Sequence, residues 1–158
     1  MLPEGTLAEV INNIIYMAPA PSFEHQDLLG ELFTEIRMYV KKHELGKCVC
    51  SPVDVYLGDE NAVQPDIVFI SADNLGIVRK GKIKGAPNLI IEVLSGNKKH
   101  DLQIKKSLYE TFAVKEYFII NPSNKEVVSY YYEDGKFVLQ KGEKGRVKSK
   151  LLKQTFIF

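Results

Sequence analysis

Asn88-Leu-Ile-Ile-Glu-Val-Leu94 is apolar at every position after the first, except at Glu92. A run apolar at odd and even positions alike reads as a strand covered on both faces, and therefore central in its sheet. A carboxylate inside such a strand is costly unless a cation, a metal or hydrogen bonds compensate it. A buried ion pair would satisfy that demand, and so would a bound metal. Upstream, Pro65-Asp66 opens a second apolar run, Ile67-Val-Phe-Ile70. Asp66 fits either a turn acid or a partner for Glu92: two acids at one end of neighbouring strands can hold a hard divalent cation through oxygen ligands. Downstream, a helix is expected over 99–113, with Leu102, Leu108, Tyr109 and Phe112 facing inward. Lys105 lies four residues after Asp101, so the two share a helix face and could simply pair there.

Working outward, the segment Leu7–Met17 reads as two short strands turned at Asn12-Asn13, residues that tolerate the positive φ of a tight hairpin. Pro19 and Pro21 break the chain, and Ser22 can cap a helix over Phe23–His43. Leu28, Leu29, Leu32, Phe33, Ile36 and Val40 recur there at helical spacing. Lys47–Leu57 alternates like one strand, and the Gly- and Lys-rich stretch Ala72–Pro87 reads as a loop. Glu116–Asn121, Glu126–Tyr132 and Lys136–Gln140 read as strands joined by turns, and Leu151–Phe158 as an edge strand. The expected class is mixed α/β (α+β), with a central sheet flanked by two main helices.

The 158 residues are 45% hydrophobic, which suits one domain over 1–158 and excludes a disordered chain. The longest apolar runs fall far short of the roughly 20 residues that cross a bilayer. The start Met1-Leu-Pro-Glu-Gly lacks the basic and apolar regions of a signal peptide, so a cytoplasmic protein without membrane attachment is expected. The two cysteines, Cys48 and Cys50, stand too close to be good disulfide partners and read as strand residues. A net charge of +1 hides an asymmetry. Residues 1–78 carry 4 basic and 12 acidic side chains, residues 79–106 carry 8 and 2, and residues 136–158 carry 7 and 1. The basic segments would suit a phosphate-facing surface, although solvated loops also account for them.

The order Val63-Gln-Pro-Asp-Ile67, then Gly85-Ala-Pro-Asn-Leu-Ile-Ile-Glu-Val-Leu-Ser95, then Asp101-x-x-x-Lys105-x-x-x-Tyr109, then Val114-Lys-Glu-Tyr-Phe118 resembles the Uma-two family. That family belongs to the PD-(D/E)XK nuclease superfamily of restriction-endonuclease-like proteins. The resemblance extends to the N-terminal hairpin, to Met17-Ala-Pro, to His25 opening the first helix and to Ser51-Pro-Val-Asp-Val55. It implies a restriction-endonuclease-like mixed sheet and Mg²⁺ (or Mn²⁺) held by Asp66, Glu92 and the carbonyl of Val93. The superfamily lysine two residues after the second acid is replaced here by Leu94, and the family's migrated lysine falls on Lys105. The stretch Ser95-Gly-Asn-Lys98 is one residue shorter than the family's usual Ser-Pro-Ser-Thr loop, and Lys99 or Lys106 could stand in for Lys105. Phe118 replaces a frequent Trp, and Asn121 a frequent Asp.

The activity implied is metal-dependent hydrolysis of phosphodiester bonds in nucleic acid, DNA above all, by a homodimer when both strands are cut. The competing reading is a non-catalytic nucleic-acid-binding module with a degenerate site. Glu9 is a candidate further ligand. His25 suits either a site-edge role or capping and packing. Tyr130, Tyr132 and Phe137 are candidate interface residues.

Overall fold

A computed structural model describes residues 6–95 and 99–158, the side chains of 99–101 excepted. The first hairpin is β1 (Ala8–Ile11) and β2 (Ile14–Met17), turned at Asn12 (φ +50°) and Asn13 (φ +62°). Helix α1 (Phe23–Lys42) follows, and the Ser22 hydroxyl accepts the His25 amide at 3.2 Å as its cap. His25, Leu28, Leu29, Leu32, Ile36 and Val40 form its buried stripe. Next come β3 (Gly46–Cys50), β4 (Val55–Tyr56), β5 (Ala62–Val63), β6 (Ile67–Ser71), β7 (Val78–Arg79), β8 (Lys82–Lys84) and β9 (Leu89–Val93). Helix α2 (Lys99–Thr111) then leads to β10 (Glu116–Ile120), β11 (Val127–Glu133), β12 (Lys136–Lys141), β13 (Arg146–Ser149) and β14 (Gln154–Ile157).

The central sheet runs β12-β11-β10-β9-β6-β3, and β9 and β10 are buried at every position. β9 pairs parallel with β10 through the α2 crossover and antiparallel with β6, so the sheet is mixed. One face packs on α1 and the β13–β14 hairpin through residues such as Leu32, Ile36, Leu89, Ile91 and Phe156. The other packs on α2 and a second sheet, β2-β1-β5-β4-β8-β7, through Val55, Val68, Ile90, Tyr109 and Tyr117. Two helices on a mixed central sheet match the expected class. Among the described residues no helix is long and apolar enough to cross a membrane.

The structure corrects several expected elements. Lys47–Leu57 is two strands in two sheets: Pro52 has no N–H for a ladder, and the chain leaves the central sheet there to join the second one as β4. Ala72–Pro87 holds a 3₁₀ turn and the β7–β8 hairpin, turned at Lys80 and Gly81 with φ of +50° and +74°. Leu151–Phe158 supplies most of the turn and the second strand of a separate hairpin whose first strand, β13, precedes it. β5 was not expected. Helix α2 stops two residues early, where Ala113 takes φ +58°. Cys48 and Cys50 are free strand residues, as expected.

Candidate active site

Register brings the two unusual acids together. β6 and β9 pair as Ile67↔Ile91, so Asp66 and Glu92 face each other one step beyond the ladder. Side chains alternate along a strand, and Glu92 falls on the same face as Ile90, towards α2 and the second sheet. Instead of continuing the ladder regularly, Asp66 turns its carboxylate onto β9, where Oδ2 accepts the Val93 amide at 2.7 Å. Among the described residues its Oδ1 has only a long contact of 3.4 Å with the Ser51 hydroxyl.

Glu92 is 7% exposed and Lys105 8%. Lys105 Nζ donates to Glu92 Oε1 at 3.1 Å and lies 2.8 Å from Glu9 Oε1. One helical turn on, Tyr109 donates its hydroxyl to the same Glu92 Oε1 at 2.9 Å. Glu92 Oε2 has no hydrogen bond among the described residues. Glu9 reaches in from β1, where it also accepts the Gln64 amide at 2.7 Å. Lys105 thus holds two carboxylates from two sheets, and Lys–x–x–x–Tyr spacing sets ammonium and phenol on one helix face.

These contacts set the electrostatics. Burial, with the Asp66 and Glu9 charges adding to it and Lys105 opposing, pushes the Glu92 carboxyl up to about 7. For Lys105, burial works to lower the pKa, but the Glu92 and Glu9 carboxylates outweigh it and hold the ammonium above the ordinary lysine value. His25, 4% exposed, points Nε2 at both Val93 O (3.1 Å) and Asp66 Oδ2 (3.3 Å). Both are acceptors, so Nε2 carries the proton. Burial opposes its charging, yet the hydrogen bond and charge of Asp66, with Gln26 and Val93, raise its pKa overall.

The expected site residues divide into groups. Asp66, Glu92, Val93, Lys105, Glu9 and His25 all line or border one cavity of about 370 Å³. Leu94, two residues after Glu92, lines the same cavity and packs against the core beside α2. The side chains of Lys99 and Asp101 and residues 96–98 lie outside the described residues. Lys106 sets its ammonium 5.1 Å over the Tyr130 ring, and Lys105 alone among the described lysines and arginines lines the cavity. Tyr130, Tyr132 and Phe137 are half-buried and pack on one another and on Tyr117. The bond from Tyr109 to Glu92 was not anticipated; its i+4 spacing from Lys105 was the available signal.

The donor set suits a hard cation. Asp66 Oδ1, Glu92 Oε2 and the second lone pair of the Val93 carbonyl are oxygens with spare capacity at one place. Among the described residues no group of three or more His, Cys, Asp or Glu side chains is placed to hold a metal ion by itself. Mg²⁺ does not need one, because it commonly binds through one or two carboxylates plus water and phosphate.

The profile of the Uma2 family, described as putative restriction endonuclease, matches residues 2–154. No curated protein matches the chain. Among solved structures, a putative nuclease belonging to DUF820 from Anabaena variabilis ATCC 29413 is similar. It shares 19% identity and a TM-score of 0.78, over 96% of this chain and 86% of that one. At that identity the likeness establishes the fold.

Proposed function

The chain belongs to the Uma2 family of putative restriction endonucleases, and from that premise we propose that it is a metal-dependent endonuclease cutting phosphodiester bonds in DNA. The observation that carries the proposal is the meeting of Asp66, just before β6, Glu92 on β9 and Lys105 on α2 in the lining of one cavity. Asp66, Glu92 and the Val93 carbonyl would hold Mg²⁺ or Mn²⁺. When bound, the ion would polarise a non-bridging phosphate oxygen and acidify a water.

The chain's own residues do the rest. Lys105 cannot serve as a general base near neutral pH, because its two carboxylate partners keep it protonated. With three donors and two of them engaged, it offers the third to the attacking water or to the charge developing on the phosphate oxygens. Glu9 acts as a counter-charge that fixes the ammonium, while Tyr109 holds Glu92 Oε1 and leaves Oε2 for the cation. His25 fixes the orientation of Asp66 and of the Val93 carbonyl together. A single centre of this kind, in one nuclease-like domain, cuts one strand. Cutting both strands of a duplex takes two copies, and a two-fold homodimer in the cytoplasm is the arrangement proposed.

Nicking of supercoiled plasmid tests the proposal. Cleavage requiring Mg²⁺ or Mn²⁺ is expected, and it should be lost in Asp66→Asn, Glu92→Gln and Lys105→Ala. Salt-sensitive binding without cleavage of DNA or RNA would instead assign the chain to non-catalytic nucleic-acid binding.

A further inference from the structure

The cavity is larger and more apolar than a phosphodiester requires. The carboxylates and the ammonium line it, but so do Leu7, Pro19, Pro21, Pro52, Leu94 and Leu102, and the whole cavity is about 370 Å³. These side chains come from the flanks of the first hairpin, the approach to α1, the turn after β3, the end of β9 and α2, so the fold converges to build the wall. Apart from Lys105, already held by Glu9 and Glu92, no described lysine or arginine lines it. The phosphates flanking a cut in duplex DNA call for cationic partners, whereas apolar walls suit a planar, weakly hydrated body. The basic β7–β8 hairpin stands at the opposite edge of the second sheet from the β1–β2 hairpin that carries Glu9.

Pockets for small ligands run from roughly 300 to 1,000 Å³, so this volume suits one nucleotide and not a stack of base pairs. Enzymes that take a nucleotide out of the helix seat its base between aromatic or apolar side chains and meet its edge with hydrogen bonds. Ser51, Gln26 and Ser95, which line this cavity, supply such groups.

The geometry points to a nucleotide that is unpaired at the scissile phosphate as the substrate, its base entering the proline- and leucine-walled cavity while its phosphate meets Asp66 and Glu92. This inference rests on the nuclease reading above and adds the pairing state. Extruding a base from intact duplex costs stacking and pairing energy that a single strand or a bulge does not have to give up.

The test compares Mg²⁺-dependent cleavage of a single strand, a duplex with a one-nucleotide bulge and the fully paired duplex. kcat/KM for the first two should exceed that for the third by about tenfold or more. Leu102→Trp, which fills the cavity, should lower kcat/KM on the bulged substrate by about tenfold, with Leu7→Trp as the second variant should the first not fold. Equal or faster cleavage of the paired duplex overturns the inference and leaves the nuclease reading intact. Cleavage of none of the three overturns the nuclease reading. A separate readout then follows 2-aminopurine placed at the bulge, with Ca²⁺ replacing Mg²⁺. A base unstacked into the cavity gains fluorescence when the protein is added, and no gain overturns the inference.

Discussion

Replacing Lys105 with Met leaves a chain of similar length but removes the charge between Glu9 and Glu92. Both partners are tied to a lysine that is 8% exposed, at 2.8 and 3.1 Å. Breaking a buried pair by removing one member typically costs about 3–5 kcal/mol, because the remaining charge is stranded. The cost should depend on pH. With Lys105 present the Glu92 carboxyl sits at about 7; without the cation that lowers it, it rises further. A carboxyl raised above its unfolded value contributes stability that is complete below about 4.5 and is lost as pH rises through the folded value. In the wild type that window closes near 7, and in Lys105→Met it extends higher. The variant should therefore lose most at pH 8.5 and clearly less at pH 5.5, where Glu92 is neutral. Urea unfolding at both pH values measures this, and a midpoint shift of about 1–3 M is expected at pH 8.5. Adding Glu92→Gln should recover much of the loss at pH 8.5. An equal loss at both pH values, or one below about 1 kcal/mol at pH 8.5, would refute the reasoning that Lys105 compensates buried carboxylates.

Other consequences are equally direct. Tyr109→Phe keeps the ring against Tyr117, 4.9 Å away, but removes the donor to Glu92; a loss of about 1.5–3 kcal/mol in urea unfolding is expected, with slower cleavage. Mn²⁺ binding followed by calorimetry should weaken as pH falls from 8 to 6 and should release protons, since the cation must displace the proton of a carboxyl at about 7. Burial, with Cys50 adding and Arg37 opposing, pushes the Cys48 thiol up to about 12. Iodoacetamide at pH 8 should therefore leave Cys48 unmodified in the folded protein and alkylate it in urea, as read by mass spectrometry.

Much of this arrangement was legible because burial and chemistry disagreed at one residue. Glu92 in an all-apolar run announced both a central strand and a compensated charge, and Pro65-Asp66 before a second such run supplied its neighbour. The Asn12-Asn13 turn and the Ser22 cap were readable because each rests on local backbone chemistry. The second sheet was not, because β4, β5 and β7 are two residues each and too short to show a period. Nor could spacing reveal that Lys105 would bind Glu9 across 96 residues of chain, or that His25 would reach Val93 O from α1, since both contacts depend on how the layers pack. The cavity wall is likewise a product of distant segments, and its prolines read in the sequence only as breaks.

The most direct measurement is the anomalous signal of Mn²⁺ in crystals soaked with the ion. The account predicts a peak within ligand distance, about 2–2.3 Å, of Asp66 and Glu92 oxygens, beside the Lys105 ammonium, and no peak there in Asp66→Asn crystals. Full occupancy of a site elsewhere, with none between Asp66 and Glu92 at saturating Mn²⁺, would contradict it.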